Sequence, residues 1–100
     1  TMTMCALNAR LLSLTMYKSD LEFKILCITN RRQKIAYQTS SLMDSDMESP
    51  EMQRLNAEDQ IYELEQTNLE TQQKAVTAEF DSVQKLLENN IKKDFKLNVS

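Results

Sequence analysis

Apolar residues in the first part of the chain repeat every seven positions. Six of them follow one another without interruption: Leu7, Leu14, Leu21, Ile28, Ile35 and Leu42. A second series, four positions behind the first, is only partly apolar: Leu11, Lys18, Ile25, Arg32 and Thr39. Two such series share one face of an α-helix and are typical of coiled-coil packing. The pattern therefore predicts one long amphipathic helix over about residues 5–43.

The segment at residues 44–49 interrupts this pattern. It is rich in Asp and Ser, whose side chains compete for backbone hydrogen bonds and favour turns and caps. Ser49 precedes Pro50, which predicts an N-cap followed by proline at the first helical position, where no backbone N–H is needed. Because the seven-residue spacing then resumes, we predict a second helix over about residues 50–96.

The second helix has a seam of mixed polarity. The seam is the strip of two seven-residue series that faces the other helix. One series is apolar throughout: Leu55, Tyr62, Leu69, Val76 and Val83. Its companion begins with Asp59, Gln66 and Gln73 and becomes apolar only at Phe80 and Leu87. Further on, the spacing changes to four residues, at Ile91 and Phe95. Gln66 and Gln73 leave two explanations open: a wet, loosely packed section, or polar residues that specify the register or a partner.

Charge is distributed unevenly along the chain. Residues 1–43 carry six Lys or Arg against two acidic residues, whereas residues 44–70 carry nine acidic residues against the single Arg54. An antiparallel fold that places residue i near residue 93 − i brings Arg31, Arg32 and Lys34 beside Asp59, Glu63 and Glu65. Exposed ion pairs contribute only ~0.2–1 kcal/mol each, so they select the register more than they stabilise the fold.

We therefore predict an all-α protein in which two long antiparallel helices form a coiled-coil hairpin. The hairpin is expected to be a single elongated unit over residues 1–100, and to associate into a larger bundle or filament. Two helices share only one seam, so apolar residues partly off that seam would stay exposed in a monomer: Tyr17, Phe23, Leu26, Leu86, Ile91 and Phe95. Leu12, Phe23 and Leu26 are expected to widen the apolar face locally. Ile91 and Phe95 continue it beyond the point that helix 1 could cover.

Composition excludes several kinds of site. The chain has no Gly, His or Trp and one Pro. Glycine-rich phosphate loops, histidine-based zinc sites and catalytic triads are therefore excluded. No carboxylate pair converges on one helical face for acid–base chemistry. We expect a non-enzymatic protein with no cofactor and no metal. It has neither an apolar run of about 18 residues for a transmembrane segment nor the basic, aromatic surface typical of nucleic-acid binding.

The two cysteines do not suggest a disulfide framework. Cys5 and Cys27 lie roughly 33 Å apart on one helix at 1.5 Å per residue, whereas a disulfide needs Cα atoms within about 7 Å. Free thiols in a reducing compartment are favoured, and no neighbouring motif supports an intermolecular disulfide or redox sensor. The N-terminal stretch lacks the order of a cleaved secretory signal. The protein is therefore expected to be cytoplasmic, or exported without a cleaved signal peptide.

One family resemblance rests on the turn and the C-terminal helix. The Ser49-Pro50 turn and the spacing of Val83, Leu87, Ile91 and Phe95 resemble needle subunits of bacterial type III secretion systems, which are short helical hairpins. The resemblance implies a C-terminal helix that lines the inside of a polymer, and subunits that leave the cell without a cleaved signal.

The expected function is that of a self-assembling structural subunit whose partners are copies of itself. Under the family resemblance, it would be an exported bacterial filament component. The alternative is a hetero-binding adaptor or secretion chaperone. In that case the Gln66 and Gln73 section would accept a helical protein partner.

Overall fold

The protein is a helical hairpin. A computed structural model describes residues 3–42 and 49–99, and within those ranges it contains two α-helices and no strand. Helix α1 spans Met4–Leu42 and helix α2 spans Pro50–Val99. The predicted all-α hairpin is confirmed. Helix α2 begins where predicted and runs three residues further, and of the predicted loop 44–49 only Ser49 lies within the described residues.

Both helices begin at a hydroxyl-bearing N-cap. The Ser49 hydroxyl accepts a hydrogen bond from the Met52 N–H at 3.2 Å, and the Ser49 carbonyl accepts one from the Gln53 N–H. The predicted cap at Ser49 is therefore confirmed. Thr3 caps α1 in the same way, because its hydroxyl accepts a hydrogen bond from the Ala6 N–H at 3.1 Å. A cap satisfies backbone donors that a first turn otherwise leaves unpaired.

Packing divides the chain into two compact units. The terminal unit consists of Thr1–Asp20 and Gln72–Ser100, and the central unit consists of Leu21–Thr71. In the central unit, Arg32 contacts Asp59 and the Arg31 guanidinium lies over the Tyr62 ring. These pairs follow the predicted register, in which residue i lies near residue 93 − i. The antiparallel register is therefore confirmed for these residues.

The core of each unit follows the seven-residue series. Eight of the residues chosen from the sequence are buried: Leu7, Leu14, Val76 and Val83 in the terminal unit, and Leu21, Ile28, Ile35 and Leu55 in the central unit. Five are half-buried: Leu42, Tyr62, Leu69, Phe80 and Leu87. The last two, Ile91 and Phe95, are exposed. No polar or charged side chain among the described residues is buried.

Met52 is a core residue that the sequence analysis missed. It is 4% exposed, and it lies seven residues before Asp59. It is therefore the first member of the companion series on α2, whose next members are polar. Extending that series one step toward the Ser49 cap would have identified it. A flexible, unbranched side chain suits this position because it can fill an irregular gap at the start of a helix.

We predict that Leu14→Ala destabilises the protein far more than Leu12→Ala. Leu14 is 3% exposed, so its truncation leaves a cavity and should cost about 2–5 kcal/mol of unfolding free energy. Leu12, two residues earlier on the same helix, is 63% exposed and serves as a matched control. Urea unfolding of dilute samples followed by circular dichroism measures both. Equal losses in the two variants would contradict the assignment of the seam as the core.

Candidate functional site

A cluster of polar side chains occupies the seam of the central unit. Arg32 belongs to the companion series of α1, and Asp59 and Gln66 belong to that of α2. The Arg32 Nε donates to Asp59 Oδ1 at 3.0 Å, and its Nη2 donates to Asp59 Oδ2 at 3.3 Å. Its Nη1 donates to Gln66 Oε1 at 3.0 Å. One guanidinium thus binds two residues of α2 that lie two turns apart, in the bidentate geometry that only arginine supplies.

The cluster extends outward along α2. Gln66 Nε2 donates to Glu70 Oε1 at 3.1 Å, and Glu63 Oε2 lies 4.0 Å from Arg32 Nη2. The amide of Gln66 therefore accepts from one helix and donates within its own. Of the two explanations left open for this residue, these contacts favour specification of the register. A shift of one turn would remove Arg32 from both acceptors at once.

The electrostatics keep Arg32 charged. Its hydrogen bond with Asp59 raises the pKa of Arg32, partial burial opposes this, and the charges of Asp59, Glu63 and Glu70 raise it further. Because the pKa is raised in the folded state, the stabilising contribution is complete below the ordinary arginine pKa. It would be lost only as the pH rises through the folded value. Titration of Arg32 therefore does not switch this cluster in neutral solution.

A groove of about 430 Å³ lies beside the cluster in the central unit. Its walls include Arg32, Asp59 and Gln66, with small or uncharged side chains between them: Thr29, Ala36, Thr39 and Asn56. The groove is open to solvent. Among the described residues, no group of three or more His, Cys, Asp or Glu could hold a metal ion. The lining of the groove offers hydrogen-bonding groups and packing surface.

The seam of the terminal unit also contains a charged residue, and a different kind of contact stabilises it. Lys18 is another charged member of the companion series, and its Nζ lies 5.6 Å from the centre of the Phe80 ring. A cation over an aromatic face is attracted by the ring quadrupole, so the ammonium is stabilised beside an apolar seam. Nearby, the Tyr17 hydroxyl donates to Gln72 Oε1 at 3.0 Å, and Arg10 forms an ion pair with Glu79.

The outward face of α1 carries a second apolar series. Leu12, Phe23 and Leu26 are all more than half exposed, as expected of Phe23 and Leu26 in a monomer, and none of the three widens the apolar face at the seam. At about 100° per residue they point away from the seam. Together with Met16 and Tyr37 they define the α1 outer stripe, with Leu12 and Met16 in the terminal unit and Phe23, Leu26 and Tyr37 in the central unit. All five are exposed, and the intervening positions of this stripe are uncharged: Ser19, Asn30 and Gln33.

A shorter series lies on the outward face of α2 in the central unit. Ala57, Ile61 and Leu64 define the α2 outer stripe, and Ile61 and Leu64 are 66% and 64% exposed. Farther along this face, the Thr71 hydroxyl donates to the Thr67 carbonyl at 2.9 Å, and the Thr67 hydroxyl donates to the Glu63 carbonyl at 3.0 Å. The apolar members of the α2 outer stripe and the two threonines on this face are uncharged.

The C-terminal part of α2 is also exposed. Every residue from 91 to 96 is solvent-exposed, including Ile91 at 49% and Phe95 at 68%. These two side chains lie one turn apart and share a face. Cys5 is exposed and Cys27 half-buried, and both thiols are free. Within the described ranges, neither helix has a stretch long and apolar enough to span a membrane.

The chain was compared with protein-family models, curated proteins and solved structures, and none of the three comparisons found a match. The function must therefore be inferred from the surfaces and contacts of this chain.

We predict that Arg32→Leu alone destabilises the hairpin, whereas adding Asp59→Leu and Gln66→Leu restores stability. The single change leaves a half-buried carboxylate and an amide without their donor. The triple change replaces all partners with apolar groups of similar shape, which is close to neutral or stabilising. The triple variant should also lose its single register and show duplicated amide signals in NMR spectra.

Arg54→Leu provides the control for this series. Arg54 pairs with Glu58 one turn away on the surface of α2, at 3.7 Å, so its loss should cost less than about 0.5 kcal/mol. Urea midpoints and amide spectra are measured for all variants. If the triple variant is no more stable than Arg32→Leu and keeps one set of signals, the cluster does not set the register.

Proposed function

We propose that this protein is a non-enzymatic structural subunit that associates with copies of itself. The observation that carries the proposal is the α1 outer stripe, which repeats the seven-residue spacing of a coiled-coil seam on a face that no part of the described chain covers. Scattered apolar residues are normal on protein surfaces, but an aligned series at seam spacing is typical of a helix that packs on two sides.

The contacts within the hairpin support self-association over the adaptor alternative. An adaptor that accepts a partner helix at the polar section of the seam would need groups there that await a partner. Gln66 already accepts from Arg32 and donates to Glu70, and Asp59 accepts two hydrogen bonds from Arg32. Inserting another helix would first have to break these contacts. Association through the outward faces would break none of these contacts.

The finer form of this proposal is an exported bacterial filament component. It is supported by the C-terminal spacing that resembles type III secretion needle subunits, and by the exposure of Ile91 and Phe95 at the end of α2. An exposed phenylalanine near a helix end offers an apolar anchor of the kind that interfaces use. Under this proposal, a second copy covers that anchor.

We expect the average mass in static light scattering to rise with protein concentration above the 11.6 kDa of one chain. The series should extend from dilute samples, in which circular dichroism confirms a folded hairpin, to the highest soluble concentration. Negative-stain electron microscopy of the same samples separates filaments from discrete oligomers. A folded chain that stays monomeric at every concentration would exclude self-association.

We predict that Phe95→Ala, or truncation after Asn90, weakens association while leaving most of the helix content intact. Burying Phe95 against another subunit would contribute roughly 1.5–3 kcal/mol, so its loss should raise the dissociation constant about tenfold or more. Circular dichroism and sedimentation of the same samples separate folding from assembly. Lys96→Ala, at the adjacent exposed position, is the control.

Loss of helix in Phe95→Ala with an unchanged oligomer would place Phe95 in the hairpin core instead.

A further inference from the structure

The groove beside Arg32 offers unfilled space at the surface of the central unit. Short side chains form its walls: Thr29, Ala36 and Thr39 on α1 and Asn56 on α2. The side chain of Ile35, which is 6% exposed, adds an apolar patch to the lining. Atoms that line an unfilled groove lack packing contacts on one side, so a side chain inserted from outside would gain them.

The α2 rim of this groove is negatively charged. Asp59 lines the groove, and Glu63 Oε2 lies 4.0 Å from the Nη2 of Arg32. Glu70 accepts a hydrogen bond from Gln66, which also lines the groove. Three carboxylates therefore stand beside one guanidinium. The other α1 residues of the lining are uncharged: Thr29, Gln33, Ile35, Ala36 and Thr39. Three further basic residues of this unit line a different groove: Arg31, Lys34 and Arg54.

The end of α2 carries few contacts with the rest of the hairpin. All six residues from 91 to 96 are exposed, whereas no other run of exposed residues in the described parts of the two helices is longer than three. A short helical segment without packing contacts is marginally stable in water, and it gains stability when its apolar face is covered. This end is therefore well placed to enter a groove on a second copy.

Apolar and basic residues lie next to each other on this segment. Ile91 and Phe95 share a face and are 49% and 68% exposed. At about 100° per residue, Lys92 lies about 60° from Phe95 on the side away from Ile91, and Lys96 extends the same edge. Asp94 lies on the other edge, about 60° beyond Ile91. The apolar face thus has one basic edge and one acidic edge.

Charge distinguishes Phe95 from the other exposed phenylalanine, Phe23. Lys92 stands three residues before Phe95, whereas Asp20 stands three residues before Phe23. Glu88 lies about 10 Å from Phe95 along the helix axis, beyond the segment at 91–96. Phe23 in the groove would bring a carboxylate to a rim of carboxylates, whereas Phe95 brings an ammonium group. The negative rim therefore favours Phe95.

We propose that the end of α2 of one copy docks in this groove of a second copy, with the Phe95 ring inserted between its walls. The basic edge formed by Lys92 and Lys96 then faces the negative α2 rim. The edge that contains Asp94 faces the uncharged α1 wall. This inference rests on the proposed self-association and names the surface that covers Phe95.

Filling the groove tests this contact. Ala36→Leu places a larger side chain in the groove, and leucine suits an exposed helix position. It should raise the dissociation constant of self-association about tenfold or more, as Phe95→Ala does. Because both changes remove the same contact, combining them should raise the constant no further. Ala75→Leu, at an exposed alanine that does not line the groove, is the control.

Two neighbouring lysines test the orientation of the docked segment. Lys92→Gln removes a charge from the basic edge, whereas Lys93→Gln removes one that lies about 160° from Phe95. Lys92→Gln should raise the dissociation constant about two- to fivefold, and the difference from wild type should diminish at high salt. Lys93→Gln should leave the constant nearly unchanged. Equal effects of the two changes would contradict the proposed orientation.

Sedimentation equilibrium gives each dissociation constant, and circular dichroism confirms that the variants keep their helix content. Asn56→Leu fills the groove from the α2 wall and repeats the test with a second variant. If wild-type protein associates and both groove variants associate equally well, another surface covers Phe95 and the groove contact is wrong. Additive effects of Ala36→Leu and Phe95→Ala would also overturn it. Wild-type protein that is monomeric at every concentration would exclude the proposed function as well.

Discussion

Two helices that pack side by side can cover only one stripe on each other, and this limit shapes the whole protein. Every seventh residue of α1 from Leu7 to Ile35 is buried in that contact, and the other buried residues among those described lie on the two seven-residue series of α2. A chain of 100 residues without Trp has few side chains that could fill a wide interior. Apolar residues elsewhere on the two helices must remain in water or be covered by another molecule.

The same limit explains why polar residues in the seam are tolerated. Asp59 and Gln66 on α2 reduce the apolar area of an already narrow core, yet both are bound by Arg32. A seam of identical apolar layers would allow the helices to slide by a turn with little change in contacts. In the observed register the guanidinium binds both acceptors at once. The hairpin thus gives up some apolar burial in exchange for one defined alignment of its helices.

Much of the fold could be predicted from the sequence, because the signals involved are local. The helix bounds follow from spacing and from the Ser49-Pro50 start, and the register follows from the opposed charges on the two helices. The exposure of Phe23 and Leu26 could also be predicted, because two helices share only one seam and both residues lie off it at about 100° per residue.

Other features of the candidate site could not be predicted. The sequence placed Arg32 near Asp59 but could not show that the same guanidinium also reaches Gln66. That contact depends on side-chain conformations across two helices and not on the spacing within one.

The hydroxyl groups along α2 have a consequence for desolvation. Thr67 and Thr71 each donate to the carbonyl of the residue four positions earlier, so neither hydroxyl depends on water for its hydrogen bond as a donor. Covering an unpaired hydroxyl with an apolar surface is unfavourable, whereas covering one that is already bonded loses much less. Water can therefore be removed from a face that contains such threonines at a small cost in free energy, although the sequence of that face looks polar.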